Sequence, residues 1–261
     1  MSEALDPVAA DRLSHAKKVF TSDLSISEFT VLHNDAFRPM DLVMGVSVFH
    51  VGWQMQKLKT SQELTTLTQA MYTARHNAVS RMQAEADQLG ADGIVGVRLE
   101  WRPQGESGEH IEFIAVGTAV TYTPQPGAWR RPDGHAFTSH LDGNEFHLLV
   151  QGGWAPRGFV MGSCVYHVAA QGMMQTFSQS GRNIEMPQWT QGNYEARESA
   201  MSRMQAEAEA LGADGVVGVR FSVQNQMWGV HTLEFYCDGT AVKKVHEDRN
   251  APNPNATVIL S

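Results

Sequence analysis

The stretch SRMQAEADQLGADGIVGVR at residues 80–98 is written again as SRMQAEAEALGADGVVGVR at residues 202–220, with three changes. A duplicated phrase of this length limits the chain to architectures made of two related units, because internal repeats report supersecondary units used more than once. The duplication extends well beyond the phrase. Phe20-Thr21-Ser22 returns as Phe137-Thr138-Ser139, Glu28-Phe29 as Glu145-Phe146, Val43-Met44-Gly45 as Val160-Met161-Gly162, and His50-Val51 as His167-Val168, all at a spacing of 117. The phrase and the later Gly117-Thr118-Ala119-Val120 recur at a spacing of 122, so the second copy holds five extra residues, placed near Ser180-Gly181-Arg182-Asn183.

The edges of the units follow from Pro and Gly. Thr123-Pro124-Gln125-Pro126-Gly127 and Arg130-Arg131-Pro132-Asp133-Gly134 break regular structure. The expected organisation is an N-terminal extension at 1–20, a first domain at 21–122, a linker at 123–137, a second domain at 138–244 and a tail at 245–261. Pro7 to Phe20 has helical character and no duplicate. The tail runs through Asn250 to Asn255, rich in Asn and Pro, to the apolar Val258, Ile259 and Leu260, which are suited to adding onto a partner's sheet edge.

A length of 261 residues accommodates two domains, and 42% apolar residues can fill their cores. Two cysteines, Cys164 and Cys237, are too few for a disulfide framework, and no N-terminal segment reads as a signal peptide; both point to the cytoplasm. No run approaches the roughly 20 apolar residues of a membrane helix. A net charge of −8 disfavours nucleic acid and anionic membrane as partners.

Within a copy, Phe29–Leu32 and Leu42–Val51 read as strands. Val79, Met82, Ala86 and Leu89 fall on one face of a helix from about Gln69, as do Met201, Met204, Ala208 and Leu211. Gly90 and Gly212 stand where a left-handed residue closes a helix. The strand from Ile94 then pairs with one that runs from about His110 to Tyr122, and the strand from Val216 pairs likewise in the second copy. A hairpin centred near Gly105 sets Arg98 opposite Glu112, and one centred near Met227 sets Arg220 opposite Glu234. That register directs Val95, Val97, Phe113 and Ala115 toward the helix, and leaves a half-apolar face carrying Gly96 and Arg98 to be buried by another domain or subunit.

Ala74-Arg75, Arg81-Met82, Glu85-Ala86, Leu89-Gly90-Ala91-Asp92, Val95-Gly96-Val97-Arg98 and Gly117-Thr118-Ala119-Val120 resemble the YbjQ-type family, labelled "putative heavy-metal-binding". The second copy repeats the pattern from Ala196-Arg197 to Gly239-Thr240-Ala241-Val242. The resemblance implies an α+β fold, here two tandem YbjQ-like domains, each a helix packed on a small antiparallel sheet. It also implies ring-shaped pentamers and no established reaction. With two domains per chain, closure is met by five chains in two stacked rings, the arrangement favoured here, or by three chains in one six-membered ring.

The polar candidates follow from the repeat. His50 and His167 are the histidines kept at matching positions, and if a ring makes them converge they would hold a transition metal or titrate near neutral pH. As single residues at strand ends they read equally as core or interface histidines. Gly96, Arg98 and Glu112, with Gly218, Arg220 and Glu234, form a shared constellation suited to an interface or a small ligand. No catalytic motif is present, so no catalytic residue is assigned. The expected function is a non-enzymatic, cytoplasmic, ring-forming homo-oligomeric scaffold or binding protein. A metal or small-ligand sensor is the second reading, and an enzyme with its site at a domain or subunit interface the third.

Overall fold

The computed structural model describes residues 6–14, 19–50, 60–104, 110–169, 185–225 and 231–246. The N-terminal extension carries α1 (Pro7–Ser14), and the first copy comprises α2 (Ile26–Asn34), β1 (Phe37–His50), β2 (Gln62–Glu63), α3 (Thr65–Leu89), β3 (Gly93–Gln104) and β4 (His110–Tyr122). The second comprises β5 (Phe137–Thr138), α4 (Gly143–Gln151), β6 (Trp154–His167), α5 (Pro187–Ala210), β7 (Gly215–Asn225) and β8 (Thr232–Lys244). The fold is α+β: two four-stranded sheets, each crossed by one long helix. Gly90 ends α3 in the left-handed conformation at φ 76°, as its position after Leu89 predicts.

Helix and sheet approach closely at one repeated point. A Cβ on Gly45 would lie 2.0 Å from the Ala78 carbonyl oxygen, and one on Gly162 would lie 1.8 Å from that of Ala200. Only glycine lets the strand touch the helix backbone there. Around this contact Val43, Met82, Phe113 and Ala115 are buried in the first copy, and Val160, Met204, Phe235 and Cys237 in the second.

Two expectations are corrected. Phe29–Leu32 is helix α2, not strand. Ser25 accepts from the Glu28 amide and Glu28 from the Ser25 amide, a reciprocal capping box that starts the helix; Asp142 and Glu145 do the same for α4. The hairpin register also differs. Arg98 lies opposite Val116 and Arg102 opposite Glu112, while Arg220 lies opposite Asp238 and Gln224 opposite Glu234. The strand arms run further than a turn at Gly105 or Met227 allows, out to the pair Gln104 and His110. The turns themselves lie outside the described residues.

A bulge compounds the shift. Gly96 and Val97 together face Gly117, with Gly96 at φ 65°, and Gly218 repeats this at φ 63°. The extra residue moves Ile94 onto the helix side beside Val97, and turns Val95 to the opposite face. There Val95 and Val120 pack with Phe37, Phe137 and Phe146. The face expected to be covered by another domain or subunit is covered by the second copy of the same chain, which supplies Phe137 and Phe146.

Candidate functional site

The two copies exchange elements along a continuous contact. β5 of the second copy adds to β3 of the first in parallel. The Phe137 and Ser139 amides donate to the Asp92 and Ile94 carbonyls, and the Gly96 and Val97 amides donate back to the carbonyls of Leu141 and Ser139. The bulge at Gly96 therefore turns its freed amides toward the neighbouring copy. In return, β2 of the first copy pairs with the end of β6, Gln62 opposite His167.

Helix α3 supplies the side-chain half of the contact. Thr68, Tyr72 and Arg75 fall at i, i+4 and i+7 and share one stripe. The Thr68 hydroxyl accepts from the Val165 amide at 2.9 Å. The Tyr72 hydroxyl donates to Glu207, whose carboxyl burial pushes up. Arg75 reaches Glu234 at 2.5 Å and the Ser163 hydroxyl at 3.1 Å, with its guanidinium against the rings of Phe113 and Tyr236. Arg75 and Glu234 are both buried, so this charge pair is enclosed between the copies. Met161 and Val165 of β6 join the core of the first copy.

The contact is heterologous. Helix α3 packs on β6, but α5 makes no comparable contact with β1 among the described residues. The equivalent helices α2 and α4 also meet through non-equivalent positions: the Gly143 amide donates to Glu28 at 3.1 Å, and His147 and Gln151 meet Asp35 at 2.7 and 2.9 Å. A contact joining different surfaces of two like units repeats from unit to unit, as a ring where its rotation closes and as a filament where it does not.

The structure brings Gly96, Arg98, Gly218 and Arg220 to one cavity of about 490 Å³ between the copies, with Asp23 and His140 on its wall. Both guanidiniums are already paired, Arg98 with Asp23 at 2.8 Å and Arg220 with Asp238 at 3.0 Å, so the cavity offers no unopposed cation to an anion. His140 sits between the Thr240 hydroxyl at 2.7 Å and the Gly218 carbonyl at 2.8 Å. Burial, with Arg220 adding to it, holds its pKa below the ordinary histidine value. Glu112 and Glu234 lie elsewhere: Glu234 is the partner of Arg75, and Glu112 occupies the equivalent position in the first copy.

The metal-ligand candidates do not converge within the chain. His50 is exposed at the end of β1, its ring 5.0 Å from that of His110, while His167 is buried at the end of β6. The His167 Nε2 has no hydrogen-bond partner among the described residues. Burial pushes the thiols of Cys164 and Cys237 up to about 12 and about 11, which disfavours the thiolate a soft metal needs. No group of three or more His, Cys, Asp or Glu among the described residues is arranged to hold a metal ion. The donors among the described residues do not fit a heavy-metal centre.

Sequence reasoning passed over the stripe Thr68, Tyr72 and Arg75. Its signal was present, since Thr190, Tyr194 and Arg197 repeat the three residue types at the spacing of 122.

Comparison with known proteins agrees with this doubled architecture. The profile of the YbjQ_1 family, described as "Putative heavy-metal-binding", matches residues 41–123 and again 155–245. A protein of Mycobacterium tuberculosis named encapsulin nanocompartment protein is 65% identical over 243 residues, 93% of each chain. A UPF0145 protein of Methanococcus maripaludis is 49% identical over 59 residues, 23% of this chain and 51% of its own length. Another from Acinetobacter baylyi is 40% identical over 101 residues, 36% of this chain and 88% of its own.

Proposed function

The chain belongs to the YbjQ_1 family, whose domain it carries twice, and from this premise we propose that it is a cytoplasmic, non-enzymatic scaffold that self-assembles into a closed ring. The observation that carries the reading is the heterologous contact between the copies. Because the two domains of one chain already meet through unlike surfaces, further chains extend the same series until it closes. This favours one ring shared by both copies, as with three chains and six domains, over the stacked pentamers expected from the resemblance.

The relative of 65% identity carries the name of a nanocompartment protein, and by analogy this scaffold works in association with a protein shell. The tip Val258, Ile259 and Leu260, which lies outside the described residues, is the docking element in this reading. Negative-stain microscopy of the purified protein tests the ring: annular particles with an even number of lobes are expected, and particles the size of one chain overturn it. For the tail, removing residues 250–261 is expected to abolish shell capture in a pull-down while leaving the annuli intact; unchanged capture overturns the docking role.

A further inference from the structure

We infer that the contact inside the chain is repeated between chains, the second copy of one molecule receiving the first copy of the next. The inference rests on the ring reading above and specifies which surfaces meet.

The first half of the argument is the segment that precedes α2. Residues 20–24 are held on their own copy as 137–141 are on theirs. The Ser22 and Ser139 hydroxyls lie 3.2 Å from those of Thr118 and Thr240, and the Asp23 and His140 amides donate to the same threonines at 3.3 and 3.1 Å. Phe20 stacks on Phe29 at 6.0 Å as Phe137 does on Phe146 at 5.7 Å. The outer edge of 137–141 is spent on β3. The equivalent of β3 in the second copy is β7, which lies at the edge of its sheet. Val97 on β3 is fully buried, whereas its counterpart Val219 on β7 is 43% exposed and the nearby Phe221 is 72% exposed. Residues 20–24 of a second molecule match this edge. The Phe20 and Ser22 amides then meet the Asp214 and Val216 carbonyls, and the Gly218 and Val219 amides meet Leu24 and Ser22.

The second half is the helical stripe. In α3 the stripe Thr68, Tyr72 and Arg75 engages Val165, Glu207 and Glu234. In α5 the same stripe is Thr190, Tyr194 and Arg197, with Tyr194 51% exposed and the Arg197 side chain held within its own helix, 2.5 Å from Glu198 and 4.8 Å from the centre of the Tyr194 ring. Its equivalent targets are Val48, Glu85 and Glu112 of the first copy. The apolar residues around those targets show the same asymmetry: Met161 and Val165 are 1% and 0% exposed beneath α3, but their counterparts Met44 and Val48 are 49% and 55% exposed.

Helix α1 competes for part of this surface, since Arg12 reaches Glu85 at 2.6 Å and Asp41 at 3.4 Å. It does not complete the surface, because Met44 and Val48 stay exposed with α1 in place. Arg12 and the Met44 amide both engage the Glu85 Oε2. Oε1 is the oxygen whose counterpart on Glu207 accepts from Tyr72. The occupant that fits is α5 of a second copy, which brings the tyrosine.

The receiving surfaces β7 and α5 belong to the second copy, and the inserted segment and the Met44 face to the first. Successive chains therefore add in one direction, and the pairing of Arg197 with Glu112 is its most specific element. Charge exchange across that pair, read by light scattering of the full-length protein, is the test. Arg197→Glu is expected to reduce the assembly to single chains, Glu112→Arg likewise, and the combined variant to restore it. Val219→Asp, at a residue 43% exposed in the single chain, is expected to block assembly independently. Removal of residues 1–18 leaves assembly intact; loss of assembly in that variant makes α1 the partnering element and overturns the assignment. An assembled protein indifferent to Arg197→Glu and Val219→Asp overturns this inference while the ring reading stands. A wild-type protein that is a single chain overturns the ring reading itself.

Discussion

Replacing Arg75 by alanine strips the buried contact between the copies of its cation. Glu234, 1% exposed, loses the guanidinium at 2.5 Å, retaining the Ser163 hydroxyl at 3.2 Å among its partners. Removing one member of an enclosed ion pair costs about 3–5 kcal/mol, since the remaining charge stays out of water without compensation. The lost stacking on Phe113 and Tyr236, about 0.5–2 kcal/mol for a desolvated cation on a ring, falls inside that figure, because truncation measures the whole site at once. Substituting both partners, Arg75→Met with Glu234→Leu, removes the charge problem. It is expected to leave the protein within about 1–2 kcal/mol of wild type, because well-packed apolar replacements of buried pairs are often near neutral. Urea unfolding of the wild type, Arg75→Met, Glu234→Leu and the combined variant, each carrying Val219→Asp so that it stays a single chain, gives the cycle, with Arg75→Ala measured in the same background. A loss below about 1 kcal/mol for Arg75→Ala, the range of exposed pairs, would refute the claim that this pair is enclosed and locks the copies together.

Gly162→Ala drives a methyl to 1.8 Å from the Ala200 carbonyl oxygen, so strand and helix must part; a loss of about 1–3 kcal/mol, the usual cost of overpacking, is expected in a thermal melt, and an unchanged melting temperature contradicts the close approach. His140, held below its ordinary pKa by burial and Arg220 against the opposing pull of Asp238, contributes stability that is present above the unfolded value of about 6.5 and is lost as pH falls through the lowered folded value. Stability-versus-pH curves for wild type and His140→Gln should therefore converge on the acid side; parallel curves contradict the assignment. Burial raises the Glu85 and Glu207 carboxyls, and each acts with the opposite sign, its contribution being lost as pH rises through the raised value. For metal, zinc, copper and nickel titrations of wild type and a His50→Ala/His167→Ala variant are expected to coincide, because the donors among the described residues do not converge; saturable binding lost in the variant would restore the metal reading.

Most of the domain is legible in the sequence because its repeat carries the constraints that shape it. The apolar face of α3 with Gly90 behind it, and the strand that follows, are read directly from the duplicated phrase. Helix α2 was hidden by the branched and aromatic run Phe29–Leu32, although Ser25-x-x-Glu28 and Asp142-x-x-Glu145 both spell a capping box. The register was missed because φ/ψ at Gly96 is invisible in a pattern of residue types, and one bulged residue reassigns every side chain beyond it. The pairing of Arg98 with Glu112 was an inference from turn centring alone, and the structure gives the arginine to Asp23 instead. That the half-apolar face would be covered was expected, but the residues that make the contact were missed for a different reason. Aligning the copies shows where they are alike, while the contact between them depends on unlike surfaces, Arg75 against Glu234 and Gly96 against Leu141. Only the fold shows that the residues kept alike are used in one copy and left exposed in the other.

The central claim is that this chain completes itself with further copies. Native mass spectrometry of the full-length protein measures that most directly. A single discrete species at an integer multiple of the 28.8 kDa chain, two or more, is expected, stable across dilution as a closed ring is. A species at the mass of one chain, or a ladder of masses growing with concentration, contradicts it.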